Sequence, residues 1–227
     1  MRPAIFLTIA VVVYGNLVNL LPRELHEAVY VPLNVTAGVV FGLVVWRVFG
    51  LGLAEMGQDR RGILRGVVVG GGIGLAIVIP LYLALLVPGL REIIADDTRH
   101  AGLSTLEFLY TVLVRIPIGT ALFEEWVFRG VLFGVWLKVG NLRAAFLVPS
   151  AAFGLWHIVP TIHLAETVRP DPSIALVVVF VGGAVVATFI VGVLFTLLRQ
   201  DSRGILGPTL THGVINSLAV VAAVLAR

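Results

Sequence analysis

Residues 118–138 read IGTALFEEWVFRGVLFGVWLK, a run long and apolar enough to cross a bilayer, yet Glu124, Glu125 and Arg129 sit inside it within six positions. An ionised side chain near the bilayer centre costs about 2.5–3.5 kcal/mol on insertion scales. Three together need a compensating role, and the stretch Phe123-Glu124-Glu125-Trp126-Val127-Phe128-Arg129-Gly130 is where function is to be sought. Glu125 and Arg129 are four apart, one helical turn, so the arginine can reach back to a carboxylate on its own helix.

Outward from this run the rest of the chain has the same character. Of its 227 residues, 59% are hydrophobic and 13% charged, and the mean hydropathy is +1.04, values that separate it from soluble domains. Apolar stretches at 4–21, 32–53, 63–88, 118–138, 143–159, 173–198 and 205–225 predict an all-α polytopic bundle of seven spans. The segment 104–117 is apolar but short, carries Glu107 and Arg115, and ends at Pro117. It reads as an interfacial or re-entrant helix, with an eighth full span as the alternative. No linker or low-complexity tract interrupts the chain, so residues 1–227 read as one integral membrane domain. Arg2 precedes an apolar run to Leu21 with no small-x-small cleavage pattern after it, which reads as a retained first span and not a signal peptide.

The net charge of +3 comes from basic residues scattered over short loops, which excludes a nucleic-acid stripe and fits a topological reading. With seven spans, Arg2, Arg47, Arg60, Arg61, Arg65, Lys138, Arg143, Arg199 and Arg203 share the side of the N-terminus. The opposite side carries Arg23, Arg91, Arg99, Arg169 and Arg227. The excess predicts a cytoplasmic N-terminus. With no cysteine, thiolate metal sites and cysteine nucleophiles are excluded. The usage of Ala, Val, Gly and Arg fits a GC-rich bacterial genome, hence a bacterial cell membrane.

Two further polar pairs lie in apolar segments. Phe153 and His157 are four apart in the fifth span, as are His212 and Asn216 in the last, so each pair shares a helix face. One buried histidine is ordinarily a hydrogen-bonded structural residue, and a Glu–Arg pair can simply neutralise itself. Two carboxylates, an arginine, two imidazoles and an amide on three apolar segments are harder to assign to packing. A carboxylate in a water-poor setting can take a proton from a bound water, making Glu124 a candidate general base. His212 and Asn216 can donate to a developing oxyanion, worth about 3–4 kcal/mol per donor, and His157 can orient the water. Base, water and donor pair together hydrolyse an amide.

Other features read as structural. Gly70-Gly71-Gly72-Ile73-Gly74 lacks the Lys-Ser/Thr of a phosphate loop and reads as close helix packing. Asn34-Val35-Thr36 matches a glycosylation sequon at a span boundary, where access is poor. His26, His100 and His163 are placed in solvated loops, and Arg115 is read as an interfacial anchor.

The order Glu-Glu-x-x-x-Arg, Phe-x-x-x-His, His-x-x-x-Asn resembles the CAAX protease and bacteriocin-processing family, which includes the Rce1-type prenyl-protein endopeptidases. All three motifs are complete here, as Glu124-Glu125…Arg129, Phe153…His157 and His212…Asn216. The resemblance covers residues 118–220, with residues 1–103 as additional N-terminal spans. It implies an intramembrane endopeptidase acting on peptides or membrane proteins, lipidated or exported, with no cofactor or metal. The candidate catalytic set is Glu124, Glu125, His157, His212 and Asn216, with Arg129 and Phe153 supporting. Two alternatives stay open: a zinc metallopeptidase using His157, His212 and a glutamate, and a non-enzymatic immunity or scaffold protein.

Overall fold

A computed structural model describes residues 1–97, 101–169 and 171–227. Among them are eight helices: α1 (Arg2–Val18), α2 (Arg23–Phe49), α3 (Arg60–Ala84), α4 (Pro88–Ala95), α5 (Thr105–Val139), α6 (Leu142–Val168), α7 (Ile174–Asp201) and α8 (Leu206–Ala226). Their ends follow local chemistry. Ser104 and Glu107 form a reciprocal capping box at the start of α5, while Asn141 and Ser173 cap α6 and α7 by accepting from Ala144 and Leu176. Pro88 opens α4 in the first turn, where its missing N–H costs nothing. Gly50 ends α2 in the left-handed region at φ 62°.

Six helices are long and apolar enough to cross a membrane, while α1, apolar but 17 residues long, sits at the short end of that range. Large apolar side chains such as Phe6, Leu64, Leu113 and Val179 are exposed on the outside of the bundle. Glu125, Arg129, Asn34 and Thr211 are buried inside. An apolar perimeter around a polar interior is what lipid demands, and the chain is an integral membrane protein.

The segment 104–117 corrects the expectation of a separate interfacial or re-entrant helix. It is continuous with 118–138 in the single 35-residue helix α5. Thr111–Leu122 and Trp126–Leu132 are wound as π-helix, with Pro117 inside the first stretch. The wider turn relieves the clash between the proline ring and the preceding carbonyls that would break an α-helix here. α4 was not anticipated, and α2 begins nine residues before the expected boundary. His26 consequently lies on α2, its ring centroid 4.9 Å from that of Tyr30 and tilted 51° to it, and His163 lies on α6, donating to the Asn19 carbonyl at 3.0 Å. Neither is in a loop, and His100 lies outside the described residues.

Helices meet where side chains are absent. A Cβ on Gly70 would collide with the Gly207 carbonyl oxygen of α8, and one on Gly74 would lie 3.0 Å from Val214. Thr211 Oγ1 donates to the Gly70 carbonyl at 2.8 Å across the same contact. The glycine run is therefore a packing surface for α8. Gly70→Leu should cost about 3 kcal/mol or more, because the obstacle is backbone and cannot rotate away. Gly71→Leu, with nothing within 4 Å, should leave the unfolding midpoint in detergent near that of the wild type. Equal midpoints for the two variants would contradict this packing.

Asn34 lies inside α2 and not at a span boundary, and it is buried in the interior as poor access required. It accepts from Tyr14 Oη at 2.7 Å and donates to the Gly119 carbonyl at 2.9 Å, tying α1, α2 and α5 together. Residues 51–59 tuck into one end of the bundle. Leu51 and Met56 are buried, and the main-chain oxygens of Met56 and Glu55 pass 2.8 and 3.3 Å from where Cβ atoms of Gly130 and Gly134 would stand.

Candidate active site

Glu124 and Glu125 stand in a short α-turn between the two π-wound stretches of α5, and both are buried. Glu125 Oε1 is shared. Arg129 Nη1 donates to it from one turn along at 3.2 Å, and His212 Nδ1 of α8 lies 2.9 Å away. An ionised carboxylate only accepts, so Nδ1 carries the proton in that bond. The other ring nitrogen, Nε2, is 3.9 Å from Glu124 Oε2. That separation is too long for a direct hydrogen bond and short enough for one oxygen atom to bridge. Glu124 Oε2, Glu125 Oε2 and Arg129 Nη2 are buried without a hydrogen-bond partner, an uncommon set of orphaned groups at one place.

Aromatic rings wall this cluster. The Arg129 guanidinium lies 4.2 Å over the Phe153 ring and 5.3 Å from that of Phe195. Phe153 also meets the His157 ring edge-on at 4.7 Å and stands 6.4 Å from His212, and Phe195 is 5.5 Å from His212. His157 occupies an interruption of α6, with φ −89° and ψ 8°. Its Nδ1 lies 2.7 Å from the Phe153 carbonyl, and since a carbonyl only accepts, Nδ1 donates and Nε2 is left with its lone pair. Asn16 of α1 holds this interruption in place: its amide donates to the Leu155 carbonyl and its oxygen accepts from Val159 N–H, each at 3.0 Å.

Glu125, Arg129, His212 and Phe153 are thus linked in one cluster, Glu124 joins it through His212, and His157 adjoins through Phe153. Asn216 does not join them. Its side chain makes no hydrogen bond with described residues and lines a neighbouring polar cavity of about 340 Å³. Thr120, one turn before Glu124, and Asn216, one turn after His212, both line that cavity, so it borders the carboxylate cluster. Among the described residues, no three His, Asp or Glu side chains are grouped to hold a metal ion.

Sequence reading missed Asn16, Asn34 and Arg199. Arg199, counted there as a loop charge, is buried: its Nε donates to the Arg129 carbonyl at 2.5 Å, its Nη2 to the Glu55 carbonyl at 3.1 Å, and its guanidinium covers Phe133 at 3.9 Å. The available signal was a polar residue within or at the edge of an apolar run, which in a membrane segment calls for a named partner.

Comparison with curated proteins and with solved structures finds no match. A family model described as type II CAAX prenyl endopeptidase Rce1-like matches residues 106–218. The matched segment holds the π-wound part of α5, the interruption of α6 and the first half of α8, hence every member of the buried cluster. The chain belongs to the Rce1-like family of type II CAAX prenyl endopeptidases.

Proposed function

We propose that this protein is an intramembrane endopeptidase that hydrolyses peptide bonds of membrane-associated substrates, with Glu124 as the general base. The observation that carries this reading is the buried, unpartnered Oε2 of Glu124 facing His212 Nε2 at 3.9 Å. A water held between them has its proton acceptor in place. Its oxygen attacks the scissile carbonyl carbon as Glu124 takes the proton, and Glu124 returns that proton to the amine nitrogen as the C–N bond breaks.

His212, held by Glu125 through Nδ1, is charged when both ring nitrogens carry protons, and Nε2–H then donates to the oxyanion. In that state the charges of Glu124, Glu125, Arg129 and His212 cancel, which makes four ionised groups tolerable inside an apolar bundle. His157, with Nε2 free, is assigned to orienting the water. Asn216, on the adjoining cavity, is assigned as a second oxyanion donor once a substrate bridges the cavity and the cluster. Glu125 and Arg129 position His212 and balance charge.

The test is cleavage of lipidated and transmembrane peptide libraries by the purified protein in nanodiscs, with and without a chelator, beside His212→Ala. Chelator-resistant cleavage reduced about 100- to 1,000-fold in the variant is expected, the loss of one oxyanion donor. Chelator-sensitive cleavage would replace this reading with the zinc one. An uncleaved library with well-folded protein would favour a binding or immunity role.

A further inference from the structure

The polar cavity beside the cluster belongs to one end of the bundle, and the two ends differ in charge. Cross-links fix which segments share an end. At the first, Arg65 near the start of α3 pairs with Asp201 at the end of α7, and Ile205 N–H, just before α8, donates to the Gly57 carbonyl at 3.0 Å. At the second, His163 near the end of α6 binds the Asn19 carbonyl just after α1, and Arg91 of α4 donates to the Ala226 carbonyl at the end of α8. The cavity is lined by Asn19, His26, Asp97 and Ala219, all toward this second end, and by Thr120 and Asn216 further in, next to the cluster.

The first end is closed to the cluster. Residues 51–59 lie across it with Leu51 and Met56 buried, and the Met56 carbonyl oxygen passes 2.8 Å from where a Cβ of Gly130 would stand, one residue beyond Arg129. Arg199 clamps this segment to α5 by donating to the carbonyls of both Glu55 and Arg129. The polar route to Glu124 therefore runs through the cavity, from the second end.

Charge decides which side of the membrane that end faces. Arg47, Arg60, Arg61 and Arg65 flank residues 50–59, Lys138 and Arg143 flank the turn between α5 and α6, and Arg203 follows α7, all at the first end. The second end has Arg23, Arg91, Arg169 and Arg227 among the described residues, and the sequence adds Arg99 between α4 and α5. An excess of Lys and Arg in short connections marks the cytoplasmic side. Because Thr105–Val139 is one helix, no additional crossing reverses the later connections. The grouping also holds for α2 to α8 alone and does not depend on the short α1.

We infer that the cavity opens on the extracytoplasmic face of the membrane, and that the substrates are peptide segments exposed there: exported peptides, or parts of membrane proteins that emerge on that side. The substrate class rests on the peptidase reading above, whereas the side does not. A chain end that stays in the cytoplasm, lipidated or not, meets the closed end of the bundle.

The sequence contains no cysteine, so single cysteines report accessibility without background. The full-length protein, expressed in bacterial cells, carries Gln58→Cys at the first end, Glu166→Cys at the second or Ala219→Cys in the cavity wall, all at exposed positions. A membrane-impermeant maleimide should label Glu166→Cys and Ala219→Cys at least tenfold faster in intact cells than in inverted vesicles, and Gln58→Cys the other way round. A reporter peptide carried on an impermeant polymer should be cut by right-side-out vesicles and spared by inverted ones. Glu166→Cys labelled from the cytoplasmic face, Ala219→Cys labelled from that face or from neither, labelling of all three from both faces alike, or cleavage confined to inverted vesicles overturns the inference. Outward labelling of the cavity with cleavage at neither face would uphold the opening and count against the peptidase reading alone. If Ala219→Cys does not accumulate, Asn19→Cys on the same cavity replaces it, and Gln58→Cys with Glu166→Cys fixes the side in either case.

Discussion

Glu124→Gln should lower kcat by about 100- to 10,000-fold, the range a positioned general base contributes, while leaving the unfolding midpoint within a few degrees of wild type. The structural reason for separating the two effects is that Glu124 Oε2 has no hydrogen-bond partner to lose. An amide of the same shape fills the same space and cannot accept the water's proton. Glu125→Gln should behave differently. Glu125 Oε1 accepts from both Arg129 and His212, so its neutralisation leaves a buried guanidinium without its counter-charge and loosens the imidazole. Activity and stability should then fall together. The comparison is read from kcat and KM on one peptide, alongside thermal unfolding in the same detergent. Glu124→Gln retaining activity within tenfold of wild type would remove Glu124 as the base. A Glu125→Gln variant as stable as Glu124→Gln would remove the distinction between a reacting and a positioning carboxylate.

The class of fold was legible because lipid reduces the problem to lengths of apolar chain, and each predicted span has its helix. The chemical cluster was legible because charge within such a span is costly: Glu124, Glu125, Arg129 and His212 stood out before any contact was known. What escaped was set by long-range packing. That α5 runs unbroken through Pro117 depends on a π-wound backbone, which no local propensity announces. Arg199 looked like a loop charge since its partners, the carbonyls of Arg129 and Glu55, are 70 and 144 residues away. Asn34 looked like a chance sequon for the same reason. Spacing rightly put His212 and Asn216 on one helix face, yet the face turns from the cluster into the cavity within one turn, so the two side chains enter different polar environments.

The Glu125–Arg129 pair provides the other large effect. Both groups are almost fully buried. Arg129→Met should destabilise the protein by about 3–5 kcal/mol, because it strands a desolvated carboxylate, and Glu125→Gln should strand the guanidinium at similar cost. Combining the two removes both charges. Since Arg129 Nη2 has no hydrogen-bond partner and the side chain otherwise lies against Phe153 and Phe195, a methionine there meets aromatic surface it can pack on. The double variant Glu125→Gln/Arg129→Met should therefore be more stable than either single one, with a coupling energy of about 2 kcal/mol or more in a double-mutant cycle. It should nevertheless stay inactive, because a glutamine oxygen offers His212 Nδ1–H a weaker acceptor than a carboxylate and no longer supports the charged imidazole. Recovered stability with lost cleavage would separate the pair's two tasks, holding the bundle together and holding His212 toward Glu124. Additive losses in stability would show that the two charges are compensated independently, with the aromatic rings and His212, not each other, as their partners.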